Sequence, residues 1–373
     1  MHSRYARHIA LPQFSDATQD ALRSSKVLVI GAGGLGCPAL LYLAAAGVGS
    51  LGIVDHDHIE LSNLHRQILY TEDDIGKNKA STAAEKLRKI NSACTLQVYE
   101  IDIHTGNACD IIRAYDIVID GSDNFPTRYL VNDACAILKI PLVYGSVFRY
   151  EGQVSVFHST AKFQDSQNRP ANYRDLFPIP PQAGEVPNCM ESGVLGVLSG
   201  IIGTMQASEA IKLITGIGDV LAWSVLTYNL LTNSIEQFEF SGTDDALPGA
   251  PTTENELAAM HYDAFCGITH DIREISWKHL EKIYSPETMI LLDVRESIER
   301  PLLEKYPYKS IPLNQLQNRT HELDASKTIC VFCQSGARSM IAAHELQNSF
   351  NFQHVWNIEG GITAFEQTFP SQL

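Results

Sequence analysis

The chain has 373 residues, 45% of them hydrophobic, and a formal net charge of −15 at pH 7. That length exceeds what one core usually spans, which predicts two domains. The negative balance argues against nucleic acid or an anionic membrane as a bulk partner, while leaving room for a local basic pocket.

Residues 27–54 carry no charged side chain, a stretch longer than the roughly 20 residues of a membrane span. Its glycines and Pro38 divide it into strand, Gly-rich turn, apolar helix, Gly turn and strand. That is the pattern of a buried β–α–β unit, whose parallel strands read as continuous apolar runs, so no membrane is expected. Strands are expected at Lys26–Ile30, Leu51–Asp55, Thr95–Ile101, Asp116–Asp120 and Pro141–Gly145. Helical patterns fall between them, at Leu35–Ala46, Lys77–Asn91, Asn107–Ala114 and Thr127–Leu138. This alternation predicts a Rossmann-like α/β fold, a mostly parallel doubly wound sheet. Gly152–His158, Leu221–Tyr228 and Ser234–Phe240 read as antiparallel additions. Phe163–Pro187 reads as a long polar loop, a kind of segment that is often functional, and Gly193–Thr215 as a small-residue helix.

The first domain is therefore expected over residues 1–242 and a linker over 243–270, where Ser241–Glu256 is rich in small polar residues and Pro. A smaller α/β domain is expected over 271–373, with strands at Met289–Val294, Thr328–Phe332 and His354–Asn357. The eight cysteines are scattered, and no apolar run with a small-residue cleavage site follows Met1. Free thiols in a reducing cytoplasm are the expectation, not a disulfide framework.

Gly31-Ala32-Gly33-Gly34-Leu35-Gly36 follows a strand and opens a helix. Such glycines permit a tight turn and a close approach of backbone to phosphate, and the helix N-terminus favours the anion. Asp55 ends the next strand about 20 residues on, where a carboxylate binds ribose hydroxyls. Asp57 follows as a further nucleotide-site candidate. These features point to an adenine nucleotide and leave ATP and a nicotinamide dinucleotide both open.

A triphosphate needs cations near its β and γ groups. Asn63-Leu64-His65-Arg66-Gln67 and Gly76-Lys77-Asn78-Lys79 supply candidates in Arg66 and Lys79. The bland alternative for each is a solvated basic face. Ser122-Asp123-Asn124 follows the strand ending at Asp120, where parallel sheets bind ligands. The Asp123 carboxylate is suited to Mg²⁺. Its alternative role is to cap the helix starting near Thr127.

Arg4-Tyr5-x-Arg7-x-Ile9, the turn Gly31–Gly36, Asp55, Asn63-x-x-Arg66-Gln67, Lys79 and Ser122-Asp123-Asn124 together resemble the MoeB/ThiF family of ubiquitin-activating-type enzymes. Read without that resemblance, Arg4–Arg7 is a frayed end. The resemblance implies that Arg7 reaches the ATP of a partner subunit in a homodimer. It also implies that Arg66 and Lys79 grip the triphosphate, that Asp123 binds Mg²⁺, and that Asn63, Gln67 and Asn124 line the nucleotide site. The implied reaction is adenylylation of the C-terminal carboxylate of a ubiquitin-like protein ending in Gly-Gly. That nucleophile is already ionised, so positioning and charge neutralisation suffice, in keeping with the lack of a Ser-His-Asp arrangement among the motifs.

Members of that family usually bind structural zinc through two C-x-x-C pairs. Asn172-Tyr173-Arg174-Asp175 stands in the place of the first, and no C-x-x-C occurs between Val220 and Phe265. No zinc is expected. Cys189, in Pro187-Asn188-Cys189-Met190, matches the position of the family's loop cysteine. It is either structural or forms a transient thioester or disulfide with the carrier. Cys37, Cys94, Cys109 and Cys135 are expected in the core.

Thr328–Phe332, Cys333-Gln334-Ser335-Gly336-Ala337-Arg338 and Ser339 read as strand, loop and helix. Successive backbone N–H groups at such a loop form an anion nest that lowers a thiol's pKa. A metal or redox pair with Cys330 is the first rival, but residues three apart on a strand face opposite sides. A cysteine phosphatase is the second, but its loop has five residues between Cys and Arg where this one has four. With Leu292-Asp293-Val294-Arg295 and Glu359-Gly360-Gly361-Ile362, residues 271–373 resemble a rhodanese. That implies a persulfide on Cys333, with Arg338 turned toward it.

The pairing points to one pathway: adenylylation of a sulfur carrier, then sulfur delivery to form its thiocarboxylate. A cysteine desulfurase or another donor would load Cys333. Molybdopterin, thiamine and cysteine synthesis and tRNA thiolation all stay open. The rivals are an activating enzyme for a peptide or tRNA base, a nicotinamide oxidoreductase, and a non-catalytic sulfur-trafficking scaffold.

Overall fold

The computed structural model describes residues 2–159, 169–180, 193–242, 247, 249–266, 272–296, 298–350 and 352–369. They fall into two compact units, 1–262 and 263–373. The first is built on an eight-stranded sheet ordered β3-β2-β1-β4-β5-β6-β7-β8. The strands are β1 (Lys26–Ile30), β2 (Ser50–Val54), β3 (Thr95–Tyr99), β4 (Ile117–Asp120), β5 (Leu142–Phe148), β6 (Glu151–Phe157), β7 (Ser224–Asn229) and β8 (Ser234–Glu239). Pairing is parallel from β3 through β5 and antiparallel from β5 to β8. The fold is thus a mostly parallel α/β sheet with antiparallel additions. The central strands are buried on both faces, with Val27, Leu28 and Val29 at zero exposure, which is why their sequences are unbroken apolar runs. Cys37, Cys94, Cys109 and Cys135 are buried.

Helices α1 (His2–Ile9) and α2 (Asp16–Ser24) precede β1. The segment that local sequence marks as a frayed end is held in place instead. Asn91 Nδ2 donates to the Tyr5 hydroxyl at 2.9 Å and Arg4 Nη1 to the Ile90 carbonyl at 2.9 Å. The Tyr5 and His8 rings stack. Those partners lie some 86 positions away, so nothing local announces them.

Then come α3 (Gly36–Ala46), α4 (Lys79–Ile90), α5 (Ala108–Ile112), α6 (Phe125–Leu138), α7 (Tyr173–Leu176), α8 (Gly196–Thr215) and α9 (Glu254–Ala258). Part of the expected polar loop, at α7, is a buried clip. Asn172 caps α7. Arg174, fully buried, pairs with Asp133 of α6 through Nε at 2.8 Å and Nη2 at 2.6 Å. The Tyr262 hydroxyl donates to the same carboxylate at 2.7 Å, and Arg169 forks onto Asp175 at 2.8 and 2.6 Å. Residues 254–262, inside the expected linker, therefore lie against the first unit. Leu257 and Tyr262 are their buried apolar anchors.

Removing one partner of a buried ion pair strands the other charge in low dielectric. Arg174→Ala is accordingly expected to destabilise the first unit by about 3–5 kcal/mol. Urea unfolding of the full chain measures this, and a loss below about 1 kcal/mol, the scale of a surface pair, would refute it.

The second unit holds a five-stranded parallel sheet ordered β11-β10-β12-β13-β9. Its strands are β9 (Arg273–Ile275), β10 (Met289–Asp293), β11 (Lys309–Ser310), β12 (Thr328–Phe332) and β13 (Val355–Ile358). The edge strands β9 and β11 have no counterpart among the expected elements. They are three and two residues long, too short to show a period. Helices α10 (Trp277–Ile283), α11 (Ala337–Phe350) and α12 (Gly361–Thr368) belong to the same unit, with a short helical stretch over 313–322. Leu292, Ile329 and Val331 pack on one sheet face, and Leu291, Phe332 and Trp277 on the other. Among the described residues, no helix is long and apolar enough to cross a membrane.

Candidate active sites

The glycine turn joins β1 to α3. Gly31 has φ +87°, and a Cβ on Gly36 would lie 1.9 Å from the Gly31 carbonyl oxygen. The turn closes only without side chains at these two positions. No side chain caps the start of α3, its Cys37 N–H is bonded to the Gly33 carbonyl at 2.9 Å and Pro38 has no N–H, so the glycine turn that leads into the helix is the favourable place for phosphate.

Asp55 follows β2 and braces the turn. Its Oδ2 accepts the Ala32 N–H at 2.8 Å and its Oδ1 accepts the Asp57 N–H at 2.9 Å. Burial is the largest influence on this carboxyl and carries its pKa upward, against the opposing pull of Lys79 and the two N–H groups. Two oxygens offer about four acceptor positions, so capacity remains for a ribose hydroxyl.

Lys79 begins α4, which Asn78 caps. Its side chain is buried and its Nζ lies 2.8 Å from Asp57 Oδ2. Burial again pushes the Asp57 carboxyl up most, but Lys79, followed by His56 and His58, outweighs it and the net shift is down. His56 bridges Asp57 and Asp102, with Nε2 at 3.1 Å and Nδ1 at 2.6 Å respectively. Sequence reasoning missed His56 and Asp102, and only the fold brings Asp102 here.

Arg66 and Gln67 flank the turn. A Cβ on Gly34 would lie 3.5 Å from Arg66 Cγ, and one on Gly33 would lie 3.6 Å from Gln67 Nε2. Arg66 Nη1 lies 3.1 Å from the Ser62 carbonyl and 2.9 Å from His65 Nε2. Gln67 is 3% exposed, and its Oε1 has no hydrogen-bond partner among the described residues. A buried acceptor left open beside the glycine turn is what a ligand donor would satisfy. Asn63 is engaged locally, its Oδ1 accepting the Glu60 N–H at 3.3 Å.

Beyond β4, the Gly121 N–H donates to the Ile30 carbonyl at 2.8 Å, so the Ser122–Asn124 segment borders the turn. Asn124, not Asp123, caps α6, accepting the Thr127 N–H at 2.9 Å. The Asp123 carboxylate is exposed and serves no capping role. Arg128, also missed from sequence, is a buried cation at this strand end, with Nη2 3.4 Å from the Ser122 carbonyl. Arg7 is exposed on α1. Cys189 lies outside the described residues.

In the second unit Cys333 follows β12 and is 1% exposed. Its Sγ accepts the Gly336 N–H at 3.2 Å. Ser339 Oγ is 3.5 Å from Sγ and 2.7 Å from Asn357 Oδ1. Asn357 Nδ2 donates to Glu274 at 2.7 Å, which orients the amide, and the Gly336 carbonyl is a further acceptor for Ser339 Oγ at 3.0 Å. Burial pushes the Cys333 thiol up, but Ser339 together with the N–H groups of Ser339, Ser335 and Gly336 outweighs it, and the net shift is down. The Ser339 hydroxyl and the backbone nest act together in that stabilisation. Cys330 packs on the opposite sheet face, where burial pushes its thiol up to about 12. Arg338 lies in the first turn of α11, but its guanidinium is forked onto Glu299.

A glycine turn between strand and helix with Arg66 and Gln67 against it, carried on one chain with a cysteine in a backbone nest, is the arrangement expected of a nucleotide-binding protein that also carries thiol chemistry. Residues 5–248 match the ThiF family and residues 276–368 the rhodanese-like domain. A probable adenylyltransferase/sulfurtransferase MoeZ of Mycobacterium tuberculosis is 37% identical over 381 residues, covering 100% of this chain and 94% of that protein. A sulfur carrier protein adenylyltransferase of Thermus thermophilus is 45% identical over 266 residues, covering 71% of this chain and 96% of that protein. The crystal structure of E. coli MccB with MccA-N7isoASN aligns with a TM-score of 0.58 at 20% identity, over 66% of this chain and 75% of that one, which shows the shared fold. The chain belongs to the ThiF family and carries a C-terminal rhodanese-like domain, the build of an adenylyltransferase joined to a sulfurtransferase.

Proposed function

We propose that the first unit adenylylates the C-terminal glycine of a ubiquitin-like sulfur-carrier protein, and that Cys333 then delivers sulfur to it. The observation that carries this reading is the presence, in one chain, of a glycine turn lined by Lys79, Arg66 and Gln67 and a thiol held low by a backbone nest.

In the first step a carboxylate oxygen of the carrier attacks the α-phosphorus of ATP. The bond to the bridging oxygen breaks, pyrophosphate leaves and an acyl adenylate remains. The start of α3 holds phosphate, Arg66 and Lys79 neutralise the developing charge, and Asp55 accepts ribose hydroxyls. Asp123 is an exposed hard-oxygen donor at the strand end, which fits Mg²⁺ completed by water and phosphate oxygens. Bound there, Mg²⁺ would add charge neutralisation. Arg7, exposed on α1, fits a role toward the nucleotide of a second subunit in a homodimer. Zinc does not fit the 172–175 segment, which offers no thiolate and buries a guanidinium.

In the second step the terminal sulfur of a Cys333 persulfide attacks the acyl carbon and AMP leaves, forming an acyl disulfide. A thiolate, with Cys189 as the candidate, attacks Cys333 Sγ. The thiocarboxylate departs and a Cys189–Cys333 disulfide forms, which a cellular thiol reductant reopens. The scattered thiols suit the cytoplasm. Molybdopterin or thiamine biosynthesis and tRNA thiolation each consume such a thiocarboxylate.

ATP–pyrophosphate exchange tests this with each small Gly-Gly-ending protein of the same organism. Exchange is expected with at least one carrier and not with a carrier lacking the terminal glycine. Exchange with none would sink the reading.

A further inference from the structure

The guanidinium at the mouth of the Cys333 loop is already occupied. Glu299 holds Arg338 at two points, with Nη1–Oε1 2.6 Å and Nη2–Oε2 2.7 Å. Between Cys333 and Arg338 the loop carries only Gln334, Ser335, Gly336 and Ala337, none of them charged. A second guanidinium reaches the loop: Arg295 Nη1 donates to Gln334 Oε1 at 3.4 Å. It too is clamped by a carboxylate, with Asp293 accepting from Nε at 3.0 Å and Nη2 at 2.8 Å. Arg300, the next residue after Glu299, donates from Nη1 to the Glu299 carbonyl at 2.9 Å. Arg338 holds the Glu299 carboxyl down to about 2, so it is ionised throughout the neutral range.

Bidentate Arg–carboxylate pairing uses the same fork that would grip a sulfonate or phosphate. A dianion entering the loop meets a site where both nearby forks are filled, and it must also approach the Glu299 charge. A donor with less charge meets the backbone nest without that opposition.

We propose that Glu299 is a specificity-determining residue of the sulfurtransferase unit, occupying the Arg338 fork and so disfavouring dianionic sulfur donors against those of lower charge. This rests on the sulfurtransferase reading of Cys333. With thiosulfate, the Cys333 thiolate attacks the outer sulfur. The S–S bond breaks with its electron pair on sulfite, and the persulfide anion remains. With methanethiosulfonate the same attack releases methanesulfinate. The two donors share the reacting bond and a tetrahedral SO₂ or SO₃ group and differ in charge, −2 against −1.

The experiment is steady-state sulfur transfer to cyanide by the full chain, comparing the two donors. Glu299→Gln keeps size and removes charge, and Glu299→Ala serves as an independent second removal. Both are expected to raise kcat/KM for thiosulfate roughly fivefold, through KM, the scale of one partly exposed ion pair. The value for methanethiosulfonate is expected to move by less than about twofold. Glu299→Asp, which keeps the charge, is expected to retain the parent ratio. An equal factor for both donors in the two neutral variants, including equal loss, would overturn the assignment and make Glu299 a support for the loop. A parent chain that transfers sulfur from neither donor would overturn the sulfurtransferase reading itself, and this inference with it.

Discussion

Cys333→Ala is expected to abolish formation of the carrier thiocarboxylate from a persulfide donor while leaving carrier-dependent ATP–pyrophosphate exchange at the parent rate. The nucleophile in sulfur transfer is a thiolate, and alanine has no atom that can carry the persulfide. Cys330 cannot substitute, because it packs on the other face of the sheet with its thiol pushed up to about 12. Shape is largely kept, since deleting one buried sulfur costs far less than the large-to-small changes that unfold cores. The two readouts separate the two chemistries. The shift of Cys333 also fixes the sign of a pH profile. Its thiol lies below the ordinary value, so single-turnover persulfide formation should rise with pH and level off at a lower pH than an unperturbed thiol would. Thiocarboxylate formation unchanged in Cys333→Ala would show that sulfur arrives by another route.

Lys79→Met should reduce ATP–pyrophosphate exchange by about 10²- to 10³-fold, the usual cost of removing one preorganised group from a site of developing charge. Methionine matches the length of the lysine stem, which packs in a 7% exposed position. Its loss leaves Asp57 without its 2.8 Å partner, but that carboxylate is half exposed and hydrated, so the fold should tolerate it. In the resting site Lys79 is held by Asp57, and a bound triphosphate has to draw it away. Asp57→Asn, which releases the lysine, should therefore lower exchange far less than Lys79→Met. If the two variants fell equally, or Lys79→Met by less than about tenfold, the pair would be a structural brace and the triphosphate would be held elsewhere.

Some of this was legible in the residues themselves. The turn Gly31–Gly36 declares itself because a tight turn and a closely packed helix start impose local demands that few residue types meet. Cys333 is similarly marked by strand, spacing and Gly336. The alternation of apolar strands and helices carries the doubly wound sheet, since strands buried on both faces must be continuously apolar. What escaped has a common feature. β9 and β11 are too short to show a period, and their identity comes from the strands they pair with. Capping was one candidate role for Asp123 in the sequence, and Asn124 takes it.

The sequence by itself therefore determined the glycine turn, the alternation of strands and helices and the cysteine loop, because each is written in the residues of a short segment. Only the tertiary structure decided which charges meet. Lys79 finds Asp57 across 22 positions, Arg338 finds Glu299 across 39, and Asp133 gathers Arg174 and Tyr262 from 41 and 129 positions away. A lone lysine, arginine or aspartate has no local preference that names its partner. Which pairs form is set by where the sheets and helices place them, and by the cost of leaving any one of them buried without an opposite charge.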